Sequence, residues 1–266
     1  MAVERVVVSV EERVARVTLS RPEKRNGLDL AMFEGLVAAG ERLRDERGVR
    51  AVVLHGAGAV FCAGLDWTAF LAAGPDARAK LLERDPARPG NVAQRACWVW
   101  QELDVPVIAA VHGAAFGGGL QLALGADIRL VAADARLSVM EVRYGLVPDM
   151  GATRTLLGLV RADVARELTF TGRVVDGAEA ARIGLCTRVA ADPLAEALDV
   201  ARTIAAHSPD AVRASKRLYR EARGLDARAA LLLETEAQLA LLGTPNQMEA
   251  AMATLEKRAP SFRDLA

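Results

Sequence analysis

Lysine is nearly missing from this chain: of 34 basic residues among 266, only Lys24, Lys80, Lys216 and Lys257 are lysines. Arginine supplies the rest, a bias that fits genome composition better than function. A charge excess of either sign is also missing, because 34 acidic residues balance the basic ones. That argues against a nucleic-acid tract or a membrane-surface patch as the main business of the chain. No uninterrupted apolar run approaches the length of a transmembrane helix. The opening stretch MAVERVVVSVEERVARV carries charges through its apolar positions, so it reads as strands rather than as a signal peptide. A cytoplasmic location is the expectation.

Cysteine is scarce too. Cys62, Cys97 and Cys186 form no CxxC pair and have no histidine at metal-ligand spacing. They read as small buried hydrophobes in a reducing compartment. Two glycine-rich motifs are incomplete. GAGAVF at 56–61 begins like a dinucleotide fingerprint, but Phe61 stands where the third glycine belongs. GAAFGGG at 113–119 lacks the Lys-Ser/Thr that would make it a nucleoside-triphosphate loop.

What remains is an ordinary globular balance, 52% apolar and 26% charged. The length suits one large core, or one domain with an appendage. Residues 5–10 and 15–19 alternate and are rich in valine, so they predict a hairpin turning at Glu11–Glu12. The segment RPEKRNGLD, 21–29, reads as loop, and Asp29 as the cap of a helix reaching about residue 47, with Phe33, Leu36, Val37 and Leu43 on one face. Residues 51–55 and 106–111 predict buried strands, as does the run 128–132. Helices are expected over 68–82 and 92–103 around a breaker-rich loop at 84–91, and from Gly118 or Gly119. This alternation implies an α/β fold with right-handed crossovers. From 192 onward the pattern is wholly helical: 193–206, 209–223, 227–242 and 245–257. A division into 1–191 and a helical subdomain 192–266 follows.

Two glycine-containing loops, FCAGLD and FGGGLQ, each follow a buried strand. Each can present an unpaired backbone N–H, and the second also opens a helix whose first N–H groups and dipole favour negative charge. Two such N–H groups converging on one oxygen make an oxyanion hole. Taken alone, the Gly117–Gly119 run would equally suit close packing of a helix on a sheet.

These motifs resemble the enoyl-CoA hydratase/isomerase (crotonase) family. The resemblance rests on LSRPEKRNGLD, GAVFCAGLDW, IAAVHGAAFGGGLQLALGADI, MEVRYGLVPDMGATRTL, TGRVVDGAEAARIGLCTRV and the tail EKRAPSFRD, in that order along nearly the whole chain. It implies a crotonase spiral of ββα units with a helical C-terminal subdomain. It also implies assembly as a homotrimer or a dimer of trimers. The substrate would be an acyl-CoA thioester, with no cofactor beyond the coenzyme A it carries. The oxyanion donors would be the N–H groups of Leu65 and Gly118. The backbone of Ala63, Leu65 and Asp66 would hold the adenine end. Lys24 or Arg25 would face the phosphates, and Lys257 with Phe262 would reach them from the C-terminal end. Trp67, Phe70, Trp98 and Trp100 would line the acyl pocket, and Tyr144 would donate a hydrogen bond there.

In hydratases of the family one carboxylate lies three residues after the oxyanion glycine, and the second lies in a later turn. Here those positions hold Gln121 and Glu141. Glutamine can hold a water but cannot exchange a proton at neutral pH. A lone Glu141 suits the shift of a double bond better than the addition of water. Asp149 matches a position where other branches of the family place a catalytic aspartate, although it equally suits a helix N-cap. Glu141 in turn has Arg136 and Arg143 nearby in sequence as salt-bridge partners. His112 reads as a structural hydrogen-bonder. Retention of the coenzyme site with one acid lost leaves a non-catalytic acyl-CoA binder as the alternative from another class, and a hydratase with a weakened first acid as the third possibility.

Overall fold

The computed structural model describes residues 4–84 and 86–264, with the backbone alone for Ala77. Asp85, in the expected loop 84–91, lies outside the described residues. Strands β1 (Val6–Glu11) and β2 (Val14–Leu19) pair antiparallel. Glu12 and Arg13 turn the hairpin at φ 47° and 68°, the left-handed pair that lets a two-residue loop follow the strand twist. Helix α1 (Leu30–Asp45) starts where the Asp29 carboxylate accepts the Met32 N–H at 2.8 Å. Phe33, Leu36 and Leu43 are buried on its inner face.

Strand β3 (Ala51–Gly56) is buried along its whole length. The single helix expected over 68–82 is two, α2 (Trp67–Ala72) and α3 (Gly74–Leu82). Gly74 sits at φ +78°, which stops the first helix before the second begins. Helix α4 (Val92–Glu102) opens on a capping box formed by Asn91 and Gln94. Then come β4 (Val107–Val111), β5 (Ala114–Phe116), α5 (Gly118–Leu124), β6 (Ile128–Ala132) and β7 (Arg136–Ser138). Short helices α6 (Ala152–Thr155), α7 (Ala162–Thr171) and α8 (Gly177–Arg182) lead to β8 (Arg188–Ala190). The rest is α9 (Pro193–Ala205), α10 (Pro209–Ala222), α11 (Ala227–Leu241) and α12 (Pro245–Glu256). All four of these start where expected, because a capping Asp, Ser or Thr marks each beginning.

The strands form two sheets. The larger has the order β1-β2-β3-β4-β6-β8, parallel from β2 onward. The smaller pairs β5 with β7, and Cys62 joins it through a parallel bridge to Ala115. Each turn of chain thus gives one strand to the large sheet and the next short segment to the small one, which is the spiral the resemblance implies. Both faces of the large sheet are covered. Val52, Leu54, Ala109 and Val111 face the main core. Ala51, Val53, Ile108 and Leu130 face α9, which meets them with Ala197, Ala201 and Ala205. Small residues on α9 let its axis lie close to the sheet.

The loop between β2 and α1 is tied to the loop after β3 by Asn26. Its side chain is fully buried and held at φ +53°, a conformation asparagine tolerates. Its amide nitrogen lies within hydrogen-bond reach of the carbonyls of Ala57, Val60 and Phe61, and its oxygen accepts the Arg21 N–H. Truncating Asn26 to alanine leaves these groups buried without a partner. We expect Asn26→Ala to lower stability by about 2–4 kcal/mol, seen as a lower urea midpoint with an unchanged slope. A midpoint equal to wild type would show that the tie is not structural.

Candidate active site

The two glycine loops meet at one point. A Cβ built on Gly64, which lies at φ +85°, would stand 2.5 Å from the Phe116 carbonyl oxygen and 3.7 Å from the Gly118 nitrogen. No residue with a side chain fits there. The next residue is Leu65, so the Leu65 and Gly118 peptides are brought side by side. The neighbouring N–H groups are already used: Ala63 donates to Arg25, Gly64 to the Cys62 sulfur, Asp66 to Leu28 and Gly117 to Ser138. The N–H groups of Leu65 and Gly118 find no acceptor among the described residues, and Gly118 opens α5. The pair has what an oxyanion hole needs: two preset donors and the positive end of a helix.

Glu141 lies against this pair. A Cβ on Gly117 would be 3.4 Å from its Oε1. Glu141 is buried, and its Oε1 accepts the Gln121 amide at 2.6 Å. Its Oε2 is buried with no partner. The Gln121 carbonyl oxygen accepts the Met150 N–H at 2.8 Å and the Ala152 N–H at 3.3 Å. Those two bonds fix the amide orientation, so Gln121 presents N–H to Glu141. The Gln121 amide N–H is thus engaged by the Glu141 carboxylate. Burial pushes the Glu141 carboxyl above its ordinary value, the Asp149 charge adds to that, and the Gln121 bond opposes it. No salt bridge to Arg136 or Arg143 forms among the described residues; Arg136 lies over the Phe116 ring instead.

Asp149 opens onto the same cavity, of about 280 Å³, which Leu28, Phe33, Phe70, Leu146, Val147 and Met150 also line. Its side chain caps nothing: α6 starts on Gly151 at φ 101°, with no side-chain cap. The apolar surroundings push the Asp149 carboxyl upward. A smaller pocket of about 70 Å³ lies on the other side of the donor pair, lined by Ala63, Leu65, Trp67, Gly117, Gly118, Glu141 and Tyr144. Trp67 and Tyr144 stack there at 4.9 Å between ring centroids.

Other expected residues fall elsewhere. Trp100 is fully buried in the core, its Nε1 bonded to Ala96, and Trp98 lines a separate cleft against α10. Neither lines the acyl cavity. Lys24 and Arg25 are exposed beside the first loop. The Asp66 carboxylate caps α2 and pairs with Arg21 at 2.7 Å, and these bonds, the cap first, hold it below the usual range. The Phe262 carbonyl accepts from Arg50, which precedes the first residue of β3, whereas the oxyanion loop follows the last. Strand length sets the two ends roughly 15–20 Å apart. Lys257 ends α12 on the same tail. Within one chain Phe262 therefore lies away from the pocket. His112 bonds the Gly58 carbonyl and is structural. The three thiols are buried and unbridged, and Cys62, bonded to the Asn26 carbonyl, is pushed up to about 12 by burial. Among the described residues no group of three or more His, Cys, Asp or Glu side chains is placed to hold a metal. Among the described residues no helix is long and apolar enough to cross a membrane.

A sequence profile described as enoyl-CoA hydratase/isomerase matches residues 9–265. The chain belongs to the enoyl-CoA hydratase/isomerase family. Among its relatives in this family, enoyl-CoA hydratase EchA19 of Mycobacterium tuberculosis is 32% identical over 250 residues, 93% of this chain and 92% of that one. The short-chain-enoyl-CoA hydratase of Clostridium acetobutylicum is 31% identical over 261 residues, 97% of each. The crystal structure of enoyl-CoA hydratase from Bacillus anthracis superposes with a TM-score of 0.90 at 29% identity, covering 97% of this chain and 98% of that one. The fold is therefore the crotonase spiral, and the chain is an acyl-CoA enzyme of this family.

Sequence reading missed three parts of the site. Asn26 carries no signal beyond being an asparagine in a loop. Leu146 and Val147 are 47% and 71% exposed, and they become pocket wall only because the 3-10 turn Glu141–Tyr144 folds them over the cavity. Arg78 lies in the expected helix with nothing in its spacing to mark it as a pocket residue.

Two outcomes follow. Gly118→Pro removes the N–H that would serve as an oxyanion donor, and its Cβ would also press on Met150 and Leu28, so turnover should fall by at least about 10²–10³. If Glu141 is the base, it works only when ionised. The acid limb of kcat/KM should therefore lie above the ordinary glutamate range of about 4.3, with activity rising as pH rises through it. A carboxyl raised in the folded state loses stability on ionising, so above that limb Glu141→Gln should be at least as stable as wild type while inactive. A limb at the ordinary value, or a clearly destabilised Glu141→Gln, would refute the burial argument.

Proposed function

We propose that the enzyme shifts a double bond in an enoyl-CoA, moving a proton between C2 and C4 through an enolate. The observation that carries this reading is the pairing of Glu141 with Gln121. The helix position that would hold a second carboxylate holds an amide, and that amide is fully engaged in fixing Glu141. Glu141 takes the C2 proton, and the C2–H electrons move into the thioester carbonyl, whose oxygen is stabilised by the N–H groups of Leu65 and Gly118. The protonated Glu141 then returns the proton at C4 as the electrons fall back, so the reaction is balanced without water. Two features of Glu141 support the cycle: Oε2 has no protein partner, and burial keeps the carboxyl a competent acid.

A hydratase reading rests on Asp149. Its carboxylate shares the cavity and caps no helix, so it is free to act as the second acid. The relatives reported above are named as hydratases. The reading calls for no metal or redox cofactor, since coenzyme A arrives with the substrate. We place the enzyme in the cytoplasm, as a trimer or dimer of trimers. The apolar surface of α11 and α12, with Leu231, Leu232, Leu239 and Leu255 exposed, supports assembly.

Kinetics separate the readings. Isomerisation of 3-enoyl-CoA substrates should outrun hydration of crotonyl-CoA, because a positioned acid or base contributes roughly 10²–10⁴-fold and Gln121 supplies none. Gln121→Glu should raise hydration. If wild type hydrates crotonyl-CoA faster than it isomerises 3-enoyl-CoA at every chain length, the isomerase reading falls. A protein that binds 3-enoyl-CoA in deuterated water yet exchanges no α-proton would be a binder, not an enzyme.

A further inference from the structure

The acyl cavity contains a cation that proton transfer does not use. Arg78, on α3, lines it beside Phe70 and Leu82, and Asp149 lines the same space. The guanidinium carbon lies 5.7 Å from the centroid of the Phe70 ring, and Nε donates to the Gly74 carbonyl at 3.1 Å. These contacts hold the side chain at the wall of the cavity. Arg78 is half-buried, and among the described residues it forms no ion pair, with Asp149 or any other carboxylate. Its two terminal nitrogens have no protein acceptor there.

A plain hydrocarbon chain entering this cavity would strip water from the guanidinium and return nothing, which is unfavourable for a charged group. A chain ending in a carboxylate replaces that water with charge-assisted hydrogen bonds, and the planar fork of arginine matches the two carboxylate oxygens. The donor pair at Leu65 and Gly118 lines the same cavity, so one acyl chain can span from the thioester to Arg78. Phe70 stacks on the guanidinium and limits its motion, which lowers the ordering cost of that contact.

We propose that the natural substrate is a dicarboxylic acyl-CoA, whose far carboxylate is bound by Arg78. The proposal rests on the acyl-CoA reading of the cavity, but not on whether a double bond moves or water adds. Its test therefore uses saturated thioesters that cannot react. Calorimetry compares succinyl-, glutaryl- and adipyl-CoA with the methyl-terminated thioesters of equal length. Wild type should bind at least one carboxylate-ended ester roughly 10-fold more tightly than its methyl-ended counterpart. Arg78→Met should abolish that preference by weakening the carboxylate-ended esters, with the methyl-ended ones bound at least as tightly as in wild type, and Arg78→Lys should keep part of it. No preference at any length in wild type would overturn the proposal, whatever the variants do. An equal loss for every ester in Arg78→Met would assign the arginine to the coenzyme and overturn it as well. If no CoA ester binds, the acyl-CoA reading itself fails and takes the proposal with it.

Discussion

Two peptide N–H groups can serve one oxygen only if the loops that carry them are pressed together, and in this chain that contact governs the design of the site. The loop after β3 and the loop after β4 approach so closely that Gly64 has no space for a methyl group. Neither loop could hold this position alone. The first is fixed by Asn26, which gathers three of its carbonyls, and by the Cys62 thiol, which bonds back to Asn26. The second is fixed by β5, whose short pairing with β7 extends to Cys62 through Ala115. The small sheet therefore exists at the place where the site needs rigidity. The two N–H groups are preset, so their orientation would cost nothing if charge developed on an oxygen held between them.

The same economy governs the acid. A buried carboxylate with no cation nearby would be costly to ionise. Gln121 offsets part of that cost with a hydrogen bond to Oε1, and the bond is directional because two backbone N–H groups pin the amide from the other side. Changing this one side chain from acid to amide does more than delete a proton donor. It replaces a repelling neighbour with a donor, and so ties the working pH of Glu141 to the start of α6.

Much of the frame was legible in the sequence. Buried runs such as AVVLH and PVIAAV marked β3 and β4, Asp29 marked the start of α1 through its capping chemistry, and the helical pattern after residue 192 marked the last four helices. Strands β5, β7 and β8 were not legible, because three residues are too few to show a period of two. The break at Gly74 was hidden because a glycine inside a helical pattern reads as a tolerated defect. In the site, Leu65, Gly118, Gln121, Glu141 and Asp149 come together as the motifs implied. Trp98 and Trp100 do not, since an aromatic on α4 can face the core or the pocket, and one-dimensional spacing does not choose between them. Phe262 lies apart from the pocket within one chain. The tail turns back at α12 and is tied by Arg50 and Arg13 to the far end of the sheet, a contact spanning most of the chain's length.

The stack of Trp67 on Tyr144 has a use apart from catalysis. The chain has only three tryptophans, and the fold sorts them into three settings. Trp100 is sealed in the core, Trp98 borders the cleft under α10, and Trp67 alone stands beside the oxyanion donors. A ligand entering the small pocket would disturb the contact of Trp67 with Tyr144, while the other two indoles kept their surroundings. The molecule thus carries its own optical probe of that pocket, read from the one indole that lines it.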